Sequence, residues 1–363
     1  MSASAGHIIL IGRFPPPTDG QAQATLRLKA QLSTRWVVHH VNTMIPAEAS
    51  AVAKMRHYHR IGCEVQQVLD AYPSAPVIWS SISPEAAGHW RDRLTIFPRL
   101  KGRNVISVVH WGKFAQVFTH PLTRRSARRR IPALTKTVFT ADVLSDACAP
   151  WIPERRRAVI PNTLDAAMIP ERARPSRRAD KRPRILFVAN MLPQKGWPEV
   201  LKAAALLQTD GFEAEWVFAG AWPDEATRHA FQRQVEGASL SGCVSHHGAI
   251  TDRAQLAAEY EAADLFVLPS WLREAQPLTI LEAMAAGVPC VVADDGGMPD
   301  LVGTDAGRVI PARNAAALAH AIRELLEPTK WAAASIAARK RFEVRFAPES
   351  IAAQWERLLE EVI

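Results

Sequence analysis

The sequence has no long hydrophobic run: across 363 residues no apolar stretch approaches the roughly 20 needed to cross a bilayer as a helix. The N-terminus shows neither a basic leader nor an extended apolar segment, so HIILIG (residues 7–12) reads as a first β-strand and not as a signal peptide. Cysteine is scarce. Cys63, Cys148, Cys243 and Cys290 lie far apart without paired metal or redox spacing, which predicts reduced core residues in a cytosolic protein. Internal repeats and low-complexity segments are missing as well. Aromatic residues do not alternate with the basic clusters as a base-stacking groove requires, and no RNA- or DNA-binding motif occurs, so nucleic acid is not an expected partner.

What is present describes a folded two-domain chain. Hydrophobic residues make up 48% and charged residues 22%, which excludes a disordered chain, and the length exceeds what one core supports. The net charge of +8 conceals an asymmetry. Residues 1–182 hold 28 Lys and Arg against 12 Asp and Glu, a net +16, whereas residues 183–363 hold 16 against 24, a net −8. Basic residues cluster at 91–103, 124–130, 155–157 and 172–184. Such clusters are either solvated surface and linker or attractors of an anionic surface, and membrane phospholipid fits better than nucleic acid.

Apolar strand-like runs alternate with helical patterns, which predicts α/β domains with parallel sheets. Expected strands in the first half are 7–11, 37–41, 77–80, 105–109 and 136–140, with a further one starting at Val159–Ile160; expected helices include 21–32 and 59–71. Residues 169–183, IPERARPSRRADKRP, have linker composition. A second cycle follows, with strands at 185–189, 215–219, 244–247, 265–268 and 290–293 and helices at 198–208, 224–236, 253–262 and 278–286. The expected architecture is two doubly wound Rossmann-like domains facing a cleft, 1–168 and 184–346, with an amphipathic helix over 347–363 returning to the N-terminal domain.

The segment with most chemical content is PSWLREAQPLTILEAMAAG, residues 269–287. A strand ends at Ser270, a loop carries Glu274, Pro277 suits a first helical position, Leu278 opens a helix and Gly287 ends it. A helix start at a strand end offers free N–H groups and a positive dipole to an anion. Carboxylates do not bind phosphate, so Glu282 and Glu274 point to hydroxyls: a ribose diol for the first, a transferred sugar for the second. Two glutamates could also merely charge a helix start, but AMAAGVPCVV and DDGGMPDLV on the downstream side argue against that. Gly296 and Gly297 in the latter permit close backbone approach to a ligand.

This segment resembles the Glu-x7-Glu donor signature of retaining GT-B glycosyltransferases, the family also called glycosyltransferase family 4 or group 1. The resemblance implies that Glu282 holds the donor ribose and that Glu274 orients the sugar or takes part in catalysis. It also implies a phosphate-binding backbone at Gln276, Pro277 and Leu278, of which proline supplies no N–H. FVANMLPQKGW (187–197) is similar to the family's V-G-R-x-x-x-x-K-G segment. Lys195 is then a partner of the diphosphate, a compact cation with three donors. Asn190 stands where the family usually has arginine, which shifts charge neutralisation onto Lys195, with Arg13 or Arg273 as helpers. IPNTLD (160–165) resembles the family's I-P-N-G-V-D, with Thr163 in place of glycine; VFAGAW (217–222) and HHGAI (246–250) resemble strand ends lining the nucleobase pocket, which suggests Gly248, Ala249 and Ile250 as contacts. The resemblance is clear from about residue 135 onward and faint before it.

In the first half, FPPPTDGQAQA (14–24) follows the first strand where the family has a glycine loop, so Gly20 is expected near the donor phosphates or sugar. His110 ends a strand in a region where family members often have a histidine near the reacting sugar; it is either an active-site residue or a structural one, and Trp111 either an acceptor platform or packing. No metal is expected, because Asp294–Asp295 are adjacent and match a loop in a family that does not need one. The implied activity is NDP-sugar-dependent, retaining transfer to a glycan or lipid-linked acceptor, as in surface polysaccharide or lipopolysaccharide assembly, by a cytoplasmic protein peripheral on an anionic membrane. A nucleotide-sugar epimerase of the same architecture and a non-catalytic basic membrane or nucleic-acid binder remain alternatives.

Overall fold

The computed structural model describes residues 6–16, 20–45, 50–171 and 182–362. It divides into two compact units, the first made of 1–163 with 348–363 and the second of 164–347. Most of the basic linker segment, 172–181, lies outside the described residues.

The first unit runs β1 (His7–Gly12), α1 (Gly20–Leu32), β2 (Val37–Asn42), α2 (Ala51–Ala71), β3 (Val77–Trp79), α3 (Ala86–Thr95), β4 (Val105–Val109), α4 (Arg124–Arg130), β5 (Lys136–Phe139), α5 (Asp142–Cys148) and β6 (Arg157–Val159). Its six strands are parallel in the order β2-β1-β3-β4-β5-β6. Interior strands read as unbroken apolar runs because helices cover both faces: every residue of VISVV in β4 is buried. The last strand starts at Arg157, two residues before the expected start at Val159, with Arg157 paired to Thr137. Helix α2 starts at Ala51 and not near His59, because the Ser50 side chain accepts the Ala53 N–H and caps it.

The second unit runs β7 (Arg184–Val188), α6 (Trp197–Thr209), β8 (Glu215–Ala219), α7 (Glu225–Gly237), β9 (Val244–His246), α8 (Arg253–Ala262), β10 (Leu265–Leu268), α9 (Leu278–Ala285), β11 (Cys290–Ala293), α10 (Met298–Val302), β12 (Gly307–Ile310), α11 (Ala315–Leu325) and α12 (Pro328–Arg345). Its parallel order is β12-β11-β10-β7-β8-β9. Strand β12 escaped the sequence reading because it is a half-exposed edge with little apolar content. Leu164 and Met168, expected with the N-terminal domain, are buried in the core of this second unit.

The final helix, α13 (Pro348–Val362), belongs to the first unit. Its Ile351, Trp355, Leu358, Leu359 and Val362 stripe packs against Ile8, Leu10, Leu28 and Ile106. Gln31 Nε2 donates to the Pro348 carbonyl and Asn104 Nδ2 to that of Val362, each satisfying a backbone acceptor at one end of the helix. All four cysteines are free thiols, but only Cys148 and Cys290 are core residues; Cys63 is exposed on α2 and Cys243 half-buried, which corrects the expectation for those two. Burial pushes the Cys148 thiol up to about 12, so it is inert. No helix among the described residues is long and apolar enough to cross a membrane.

Candidate functional site

In each unit the chain leaves its first strand to one side and later returns to the other, so strand order reverses beside that strand. Such reversals open a crevice at the carboxyl ends of the two strands concerned. In the second unit these are β7 and β10.

The turns leaving β7 and β10 are fastened together. Gly196, in the left-handed region at φ +94°, lies so close to Pro269 that a Cβ would sit 2.4 Å from its carbonyl oxygen. The Gln194 carbonyl accepts from the Trp271 N–H at 2.9 Å, and Ser270 Oγ lies 3.3 Å from it. Lys195 is thereby brought against the Glu274 loop, and its Nζ contacts Glu274 Oε1 at 2.5 Å while Ser270 Oγ donates to the same oxygen at 3.0 Å. Both side chains are mostly but not wholly enclosed, at 19% and 15% exposure, so the pair remains reachable by a ligand.

The Gly296–Gly297 loop serves this arrangement in a way the sequence reading did not foresee. Gly296, at φ +61°, abuts the backbone of Glu274, where a Cβ would fall 2.0 Å from the carbonyl oxygen, and the Gly297 N–H donates to that oxygen. Asp295 accepts the N–H of Arg273, which stands at φ +56°. Gly296 therefore makes room for the protein's own Glu274 loop. The Asp294–Asp295 pair is likewise partly structural. Among the described residues no cluster of three or more His, Cys, Asp or Glu could hold a metal ion.

Helix α9 begins at Leu278 with Pro277 at its N-cap, one position before the expected first helical place. Proline has no N–H to donate, so the first-turn donors come from Leu278 onward. Gln276, just before, is buried at 6% exposure. Glu282 lies one turn into the helix and is only 3% exposed. Tyr260, on α8, donates its hydroxyl to Glu282 Oε2 at 2.9 Å, and Arg253 Nη2 stands 3.4 Å from Oε1 and 3.4 Å from Asp165. Burial, and then the adjacent carboxylate, push the Tyr260 phenol well above its usual range, so it stays a donor. Sequence reasoning missed Tyr260, Arg253 and Ser270, although YEAADLFVLPS places Tyr260 just ahead of the strand leading to the site.

Asn190 is exposed beyond β7. Gly220, at φ +152°, passes the preceding Ala189 carbonyl so closely that a Cβ would lie 1.8 Å from it. Gly220 also donates its N–H to the Gly248 carbonyl. Gly248 (φ +70°), Ala249 and Ile250 form the loop after β9; open space surrounds Gly248, Ala249 is exposed and Ile250 packs on the core. Beside them His246 bonds the Gly220 carbonyl and lies 4.4 Å from the Trp222 ring, tilted by 39°.

The first unit has its own reversal between β1 and β3. Gly20 is the exposed first residue of α1, with open space around it, and residues 17–19 of the expected glycine loop lie outside the described residues. His110 follows β4. Its Nε2 bonds Ser80 Oγ at 2.9 Å, Ser80 bonds Thr25 Oγ1 at 2.8 Å, and Gln21 Nε2 donates to the Ser80 carbonyl. Loss of hydration pushes the His110 imidazole down to about 4, so the ring is neutral at physiological pH. Trp111 is half-buried next to it. Arg13 reaches Gln21 and Met44, and Arg273 is exposed.

The family whose model is described as Glycosyl transferases group 1 matches residues 168–341. Among curated relatives, the putative teichuronic acid biosynthesis glycosyltransferase TuaC of Bacillus subtilis (strain 168) is 33% identical over 146 residues, 40% of this chain and 33% of that protein. The O-antigen chain mannosyltransferase B of Escherichia coli is 31% identical over 149 residues, 40% of this chain and 37% of that protein. The chain spans only about a third of the length of these two relatives. Among solved structures, the sucrose-phosphate synthase of Thermosynechococcus elongatus has a TM-score of 0.73 at 19% identity, covering 98% of both chains. Anabaena HepE, solved with UDP and glucose, has a TM-score of 0.75 at 16% identity, covering 98% of this chain and 100% of that one. The chain has the GT-B fold, and the stretch that resembles the group 1 glycosyl transferases, residues 168–341, falls within its second unit.

Two outcomes test this geometry. Tyr260→Phe removes a hydrogen bond from a buried carboxylate and is expected to lower stability by about 1–3 kcal/mol; urea unfolding indistinguishable from wild type would show that Tyr260 does not hold Glu282. Because the His110 pKa is depressed from 6.5 toward about 4, its contribution to stability is complete above pH 6.5 and is lost as pH falls through that interval. Buried Asp92, pushed up to about 6 chiefly by burial, acts in the opposite sense there, so the readout should be direct. The His110 ring-proton NMR shift is expected to stay constant from pH 8 to about 5, and a midpoint near 6.5 would contradict the enclosure of the ring.

Proposed function

We propose that the chain transfers a sugar from a nucleoside-diphosphate sugar to an acceptor in polysaccharide or glycolipid assembly, with retention of anomeric configuration. The observation that carries this reading is the Lys195–Glu274 pair beside the start of α9, at the strand reversal of the unit that resembles the group 1 family. The diphosphate would lie on the first-turn N–H groups from Leu278 onward, where backbone donors and helix dipole both favour an anion. Lys195 would exchange Glu274 for phosphate, and the released Glu274 would accept hydroxyls of the sugar. Glu282, held by Tyr260 and Arg253, would bind the ribose diol, and the loop Gly248–Ile250 would border the base.

As the bond from the anomeric carbon to the diphosphate oxygen breaks, negative charge grows on the leaving diphosphate, and Lys195 and the helix start stabilise it where it forms. The acceptor oxygen bonds to the anomeric carbon on the same face, and its proton passes to the departing phosphate. The first unit, with neutral His110 and Ser80 at its own strand reversal, would receive the acceptor. Relatives named for teichuronic acid and O-antigen synthesis support the acceptor class, and HepE in complex with UDP and glucose supports the donor class. The +16 charge of residues 1–182 supports a peripheral position on an anionic membrane.

Thermal unfolding with UDP-, GDP- and ADP-sugars tests the donor site. A matching donor at a hundred times its Kd contributes about 2.7 kcal/mol, or about 5–10 °C for a unit of this size. Glu282→Gln is expected to remove most of that shift while inorganic pyrophosphate still stabilises. A shift equal to that of wild type would remove Glu282 from the donor site.

A further inference from the structure

Helix α4, RRSARRR, is anchored by two residues that face inward, Thr123 just before it and Ala127 within it, both fully buried. The side chains on its other face, Arg124, Arg125, Arg128 and Arg129, are exposed and line one hollow. Arg128 is fixed there, its Nε donating to the Phe118 carbonyl and its guanidinium lying over the Trp151 ring. Among the described residues, no carboxylate pairs with Arg124, Arg125 or Arg129. A patch of like charge without counter-charge is costly to keep unless an external anion meets it. Guanidinium groups suit phosphate oxygens in particular, through paired N–H donors.

Apolar surface accompanies the charge. Leu122, immediately before the helix, is 65% exposed. Arg130 turns the other way and lies over the ring of Phe97, just past the end of α3, so α3 is a neighbour. The outer face of α3 carries Trp90 at 38% and Leu94 at 67% exposure, one helical turn apart, with Arg93 over the Trp90 ring. Exposed Trp and Leu among arginines suit the headgroup layer of a bilayer, where the aromatic ring and aliphatic tips enter and the cations remain at the phosphates.

We propose that α4, with Leu122 and the Trp90–Leu94 face of α3, is the surface by which this protein docks on a bilayer containing anionic phospholipid. This deepens the peripheral-membrane reading given above and rests on it. A nucleic acid is the weaker occupant, because the patch is compact and its aromatic rings, Trp90 and the half-buried Trp151, each lie under an arginine and form no track of stacking platforms.

The test is flotation of the full chain with phosphatidylglycerol–phosphatidylcholine vesicles and with pure phosphatidylcholine vesicles. Wild type is expected to float with the first and not the second, and to be released by salt. Arg124→Glu/Arg125→Glu/Arg129→Glu is expected to weaken anionic-vesicle binding about a hundredfold, and Trp90→Ala/Leu94→Ser several-fold. Arg233→Glu/Lys340→Glu, which reverses charge elsewhere, is expected to change it little. Equal flotation of the arginine variant and wild type, or equal binding to both vesicle types, would overturn the proposal. So would an oligonucleotide that binds wild type more tightly than the anionic vesicles and loses that binding in the arginine variant. Sugar-nucleotide thermal shifts, expected to be unchanged in these variants, are read separately, so a failed docking surface and a failed donor site are told apart.

Discussion

The second unit is organised around a steric constraint: the turns leaving β7 and β10 approach so closely that side chains are forbidden where they meet. Gly196 rides on the Pro269 carbonyl and Gly296 on the backbone of Glu274. Those approaches leave no space for a Cβ, so the Lys195 turn, the Glu274 loop and the loop at 294–297 pack directly against one another. The short Lys195–Glu274 contact follows from that fit, as does the position of the α9 start beside it. In the proposed reaction a preformed site matters, since donors already aimed at a phosphate need no reorganisation as charge develops.

Much of this was legible in the sequence, and the reasons are specific. Continuous apolar runs such as VISVV and LFVL identify buried parallel strands, and most strand limits fall within a residue or two of those expected. The Glu274–Glu282 spacing and the Lys-Gly turn stand out because a strand, a loop and a helix start leave a local pattern. Contacts between distant segments leave none. Nothing local in GGMPD says that Gly296 faces Glu274, and nothing in EYEAA says that a tyrosine hydroxyl meets a carboxylate 22 residues on. The same limit applies to Gly296: a glycine signals close approach without naming what approaches, and here the Glu274 backbone is what lies against it.

The first unit repeats the strand reversal with different chemistry. Where the second unit gathers a lysine and carboxylates, the first gathers Thr25, Ser80 and a neutral His110, a hydrogen-bonding set with little charge. Such a set suits hydroxyls better than phosphates. Arg13, which reaches Gln21, stands beside this set, whereas Arg124, Arg125, Arg128 and Arg129 lie on exposed helix surface.

The most direct measurement is a crystal structure of the chain with a nucleoside diphosphate bound. The account predicts that the terminal phosphate lies within hydrogen-bonding distance of the Leu278 N–H, with Lys195 Nζ moved from Glu274 to the phosphate and the ribose hydroxyls on Glu282. A diphosphate bound away from the start of α9, with the Lys195–Glu274 contact intact, would contradict it.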